Sequence, residues 1–86
     1  MKDITEFNEK YSKYLAPMFY GLSIHNERIV KFLDEMFQIY MLDYPDFVFY
    51  QIKLKFGKAR VYIDNIPDEE IRKLEKHIDK ILKDYV

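Results

Sequence analysis

The stretch that decides the fold runs Tyr50-Gln51-Ile52-Lys53-Leu54-Lys55-Phe56-Gly57-Lys58-Ala59-Arg60-Val61-Tyr62-Ile63-Asp64. Apolar and polar residues alternate, break once at a glycine, and resume. Period-two alternation is the mark of a strand with one buried face. Tyr50, Ile52, Leu54 and Phe56 share one face; Gln51, Lys53 and Lys55 share the other. Gly57-Lys58 reads as a two-residue type II′ turn, with glycine supplying the positive φ of its first position. Ala59, Val61 and Ile63 continue the apolar face; Arg60, Tyr62 and Asp64 continue the polar one. That turn pairs Phe56 with Ala59, Lys55 with Arg60, Leu54 with Val61, and Lys53 with Tyr62.

Outward from the hairpin, helices are expected on both sides. Asn65-Ile66-Pro67-Asp68 leads into one, with proline at or beside its first turn. Glu69 and Glu70 suit its N-terminal dipole, and Lys80 and Lys83 its C-terminal end. Ile71, Leu74, Ile78, Ile81 and Tyr85 recur at helical spacing with Leu82 beside them, either as a core stripe or as a dimer seam. Before the hairpin, Ile29, Val30, Phe32, Leu33, Met36, Phe37, Tyr40 and Met41 form a wide helical face. Ser23 or Asn26 caps it, and Asp43-Tyr44-Pro45-Asp46 ends it. A first helix starts at Asp3 and Glu6. It carries Ile4, Phe7, Tyr11, Tyr14 and Leu15 on one face and stops at Ala16-Pro17, before a connector punctuated by Gly21. The expected architecture is a single α+β domain over residues 1–86, in the order α-α-β-β-α, with a two-stranded antiparallel hairpin packed on helices.

Composition narrows the function classes. The chain has 86 residues with no cysteine and no tryptophan, 49% hydrophobic and 17% aromatic, with 14 Lys+Arg against 15 Asp+Glu. Zero cysteine excludes a disulfide scaffold, a thiolate metal site and a thiol nucleophile. No apolar run reaches the ~18–20 residues of a membrane span. Met-Lys-Asp-Ile-Thr-Glu lacks the apolar core of a signal peptide, so the expected address is cytoplasmic. A chain this size buries about 60–65% of its unfolded surface. Fifteen aromatics (eight Tyr, seven Phe) exceed a minimal core, which points some of them to a subunit interface or a ligand.

Charge is uneven along the chain. Residues 47–63 hold Lys53, Lys55, Lys58 and Arg60 and no acid. A Lys55/Arg60 cross-strand pair of like charges is destabilising by a few tenths of a kcal/mol, and a bridging anion reverses that sign. Arginine grips a phosphate bidentately and lysine adds a point charge. Strict alternation places Phe47 and Phe49 on this face, where they either pack under the first helix or in a dimer or stack on a ligand, and Tyr62 sits among the cations. Rings beside cations suit a nucleotide. The candidate ligand-binding residues are therefore Lys53, Lys55, Arg60, Tyr62 and Phe49, set against the plainer reading of a solvated, lysine-protected sheet face. At a sequence pI of about 6.1, a small anionic ligand fits better than a long nucleic acid.

Catalysis finds no constellation. Ser12 and Ser23 lack a local partner. His25 reads as a capping or surface residue, and His77 as a helix-boundary residue. Asp43/Asp46 and Asp68-Glu69-Glu70 are explained by a turn and a helix start. No metal-ligand or phosphate-loop motif occurs. No enzyme activity, cofactor or metal is expected.

The motif in residues 51–64 resembles one found in small bacteriophage and prophage proteins, roughly Gln-Val-Lys-Glu-Lys-Phe-Gly-x-Leu-Arg-Phe-Tyr. Lys53, Lys55, Phe56, Gly57, Arg60 and Tyr62 match it, within a resemblance covering residues 22–84. Leu54 stands where that family has Glu. Gly21-Leu22 stands near its Gly-Trp, and its cysteine-rich tail is absent. The resemblance implies phage origin and carries no assigned activity. With the basic hairpin it leads to two expectations. The first is a homodimeric, non-catalytic anti-defence protein that sequesters a nucleotide immune signal. The second is a stoichiometric inhibitor of a host defence complex, such as a CRISPR nuclease, acting through an aromatic-rich surface. A structural phage protein is the third possibility.

Overall fold

The computed structural model describes residues 4–16 and 26–84. Asp3, Pro17, Gly21, Ser23, His25 and Tyr85, to which the sequence reading gives roles, lie outside them. The elements are α1 (Ile4–Lys10), a 3₁₀ turn (Ser12–Tyr14), α2 (Glu27–Asp43), β1 (Val48–Lys55), β2 (Lys58–Asp64) and α3 (Asp68–Asp84). This is the expected α+β order around one antiparallel hairpin.

Asn26 caps α2: its side chain accepts from the backbone N–H groups of Arg28 (3.0 Å) and Ile29 (3.1 Å). Such a cap satisfies two of the four unpaired donors at a helix start. The buried face of α2 carries Ile29, Val30, Leu33, Phe37 and Tyr40. The stripe of α3 is core, with Leu74, Ile78 and Ile81 all buried.

The first helix is shorter than expected. It ends at Lys10, passes through the 3₁₀ turn, and lets Leu15 bridge Phe49 in parallel while Ala16 N–H donates to the Phe49 carbonyl at 2.9 Å. Leu15 therefore leaves the helical face and covers the outer edge of β1. Tyr11 stays tied to α2: its hydroxyl reaches the Asp34 carboxylate (2.5 Å) and backbone carbonyl (2.8 Å). Lys10 Nζ pairs with the same buried carboxylate at 3.0 Å. Burial, reinforced by the Asp34 hydrogen bond, pushes the Tyr11 hydroxyl well above its ordinary pKa of 10.0 and keeps it a donor.

At the centre stands Phe37. Its ring lies 5.1–5.3 Å from those of Phe47, Phe49, Tyr11 and Phe7 and 6.2 Å from Tyr40. Tilted and edge-on geometries predominate, as ring quadrupoles favour.

Two corrections concern the hairpin. The turn is Phe56-Gly57, not Gly57-Lys58, with φ of +55° and +76°. Two successive positive φ values mark a type I′ turn. Lys53 therefore faces Arg60, Lys55 faces Lys58, and Gln51 faces Tyr62; the expected Lys55/Arg60 pairing does not occur. The second correction is a bulge at Tyr50, where the register shifts between Phe49 and Gln51. One extra residue reverses the side-chain parity. Phe47 and Phe49 therefore turn into the core, and Tyr50 turns outward to bond the Asp64 carboxylate at 2.7 Å. Burying two phenyl rings, each worth roughly 1.5–3 kcal/mol, outweighs the local loss of ladder bonds.

A phenylalanine in left-handed backbone is strained by about 1–2 kcal/mol. Phe56→Asn is expected to raise stability by about 1 kcal/mol, which a thermal melt reads as roughly 4–8 °C. An unchanged or lowered melting temperature contradicts the strain assignment.

Candidate functional site

Both exposed surfaces of the hairpin take part in the candidate site. On the outer face, Lys53, Lys55, Lys58, Arg60 and Tyr62 are all exposed. Two like-charge pairs, Lys53/Arg60 and Lys55/Lys58, now stack along the ladder where the sequence reading had one. Lys53 Nζ stands 6.0 Å from the centre of the Tyr62 ring, near the limit of a cation–π contact. The structure thus groups Lys53, Arg60 and Tyr62 and leaves Lys55 nearer the tip. Phe49 is corrected out of the site: it is 0% exposed under the bulge, and no ligand ring can reach it.

The second surface is a groove of 460 Å³ between β2 and α3, lined by Lys58, Arg60, Glu69, Arg72, Lys73, Glu75, Lys76 and Asp79. Helix α3 is held there by a match of spacings. Alternate strand residues lie about 6.8 Å apart, and helix residues four apart lie about 6 Å apart. Ala59 N–H accordingly donates to Asp79 Oδ1 (2.6 Å) and Val61 N–H to Glu75 Oε2 (3.0 Å). Two carboxylates on one helix face thus satisfy two N–H donors on the free edge of β2. On the other edge, Leu15 and Ala16 meet β1 at Phe49.

This anchoring decides the electrostatics of the groove. Of its three acids, Glu75 and Asp79 are turned to the β2 backbone, and Glu69 faces Lys73 at 3.8 Å. Lys73 also approaches Glu70 at 3.6 Å; such exposed pairs are worth little. Among the described residues, Lys58, Arg60, Arg72 and Lys76 form no ion pair. Four free cations from two elements face one open groove, an arrangement suited to a phosphate-bearing ligand. Arg72, Lys73 and Lys76 were missed in the sequence reading. Their signal was present, since Arg72 and Lys76 stand four apart on the polar face of α3.

His77 stacks on Phe32 with ring centroids 4.0 Å apart, joining α3 to α2 as a boundary residue. The described residues hold no cluster of three potential metal-ligating His, Cys, Asp or Glu side chains, and none of their helices is long and apolar enough to cross a membrane. Compared with protein-family models, curated proteins and solved structures, the chain matches none.

Proposed function

We propose that this chain is a non-catalytic, bacteriophage-type binding protein that sequesters an anionic nucleotide signal of host immunity in the groove between β2 and α3. The observation that carries the binding reading is the set of cations without an ion pair, Lys58, Arg60, Arg72 and Lys76, around a groove whose acids Glu75 and Asp79 accept from the β2 backbone and whose Glu69 faces Lys73. Arg60 is the bidentate phosphate ligand, with Lys58, Arg72 and Lys76 supplying charge. Tyr62 and Lys53, on the adjoining outer face, offer a ring to a base and a further cation. The bacteriophage setting rests on the motif resemblance of residues 51–64, and the anti-defence role is the one proposed within it.

Calorimetric titration with cyclic di- and oligonucleotides, mononucleotides and pyrophosphate tests it. At least one nucleotide is expected to bind, more weakly as salt rises. Arg60→Glu is expected to lower affinity by about 10–100-fold, as loss of a charge-assisted bidentate contact does. No binding by any nucleotide, or undiminished binding by Arg60→Glu, defeats the proposal.

One observation favours the second reading, inhibition of a host defence complex. Phe56 is 96% exposed at the hairpin tip, and a projecting aromatic is a typical interface anchor. Under that reading Phe56→Ser abolishes inhibition of the purified target and nucleotide titrations of the unaltered chain are silent.

A further inference from the structure

We infer that the chain pairs with a second copy of itself, the hairpin tip of each subunit docking on the C-terminal end of α2 of the other. Four observations lead there. The first is Phe56: it makes no ring contact among the described residues, and its backbone is strained at φ +55° where Asn or Gly sits without strain. Nothing among the described residues uses that ring. Leu54 beside it is 56% exposed, so the tip is an apolar point.

The second observation is an apolar patch at the far end of the hairpin. The C-terminal half of α2 exposes Leu42 at 84%, Ile39 at 48% and part of Met41. Exposed large side chains grouped on one helix end mark an interaction surface.

Charge complementarity makes the third. Residues 32–52 contain Asp34, Glu35, Asp43 and Asp46 and no Lys or Arg; residues 53–60 contain Lys53, Lys55, Lys58 and Arg60 and no Asp or Glu. Asp34 is buried with Lys10 and Tyr11, and Glu35 shares a groove with Arg28 and Lys31, which leaves Asp43 and Asp46 exposed at the end of α2 that carries the patch. An apolar point flanked by cations thus has its counterpart on the same chain, an apolar patch followed by two carboxylates.

The fourth is geometry. The two patches lie at opposite ends of β1, which is eight residues long and so about 24 Å from end to end. A subunit cannot join them itself. A two-fold axis across the hairpin lays two chains antiparallel and makes both contacts at once, as an isologous interface requires. A standard interface of about 800 Å² per partner is roughly an eighth of the 6030 Å² surface, a share that two patches per subunit can supply. The pairing does not depend on a ligand in the groove, so it stands or falls separately from the proposed binding activity.

Sedimentation velocity and light scattering on the purified chain test it at concentrations up to roughly 1 mM. A closed dimer is expected, weakening as salt is raised. Lys53→Glu/Lys55→Glu and, separately, Asp43→Lys/Asp46→Lys are each expected to weaken it by at least about tenfold. Mixing the two variants, whose charges are again complementary, restores a dimer. Phe56→Ser weakens dimerisation without lowering the melting temperature of the subunit. Circular dichroism checks that each variant folds. A wild-type monomer throughout, an open-ended polymer, a dimer indifferent to the charge reversals, or variants that fail to recombine on mixing would each overturn the pairing.

Discussion

Phe37→Ala is expected to destabilise the fold by about 3–5 kcal/mol, the range for truncating a buried aromatic. The ring it removes touches five others, contributed by α1, the segment after it, α2 and the stretch around the start of β1. No single neighbour can collapse into a space bounded on so many sides, so the cavity term remains. Chains of this size are held by roughly 4–13 kcal/mol in all. The variant should therefore melt some 12–40 °C lower or populate the unfolded state at room temperature. Phe37→Leu, which keeps much of the volume, should lose far less. Urea denaturation of the pair measures both. A loss under about 1 kcal/mol for Phe37→Ala would mean that the aromatic cluster is not the centre of stability.

The double variant Glu75→Ala/Asp79→Ala is expected to lose about 2–4 kcal/mol. A hydrogen bond to a charged group contributes roughly 1.5–3 kcal/mol, and both acceptors here are half-buried. The loss has a local signature. The amides of Ala59 and Val61 lose their acceptors while their neighbours keep the β1 ladder, so hydrogen exchange should accelerate at those two positions first. The uncovered β2 edge should also make the protein more prone to aggregate. Uniform acceleration across the sheet, or none at Ala59 and Val61, contradicts the anchoring. Because the same two carboxylates also line the groove, they join the stability of the chain to the binding reading.

The hairpin shows how far a local pattern reaches. Moving the turn by one residue shifts β2 against β1 by two positions, and a shift of two leaves every side chain on its original face. Alternation alone is therefore blind to the choice between Gly57-Lys58 and Phe56-Gly57. Local preference even favours the wrong turn, since it spares a phenylalanine positive φ. The observed register is the one in which Ala59 and Val61 present their N–H groups to Asp79 and Glu75. Phe49 fails for a different reason. Parity places it with Lys53, and only the demand of the Phe37 cluster for two more rings makes a bulge at Tyr50 worthwhile.

Helix and strand identity, the order of elements and the apolar stripe of α3 were legible in the chain, because period and capping are properties of neighbouring residues; that the stripe is core and not a dimer seam was decided by packing. So was the acid-free run of four bases. Where those bases point, and with what company, depended on packing. Arg72 and Lys76 come beside Lys58 and Arg60 only when α3 lies along the edge of β2. A residue's position along a helix says which face it occupies. Which charges from another element meet that face is decided by the long-range contacts that no local period encodes.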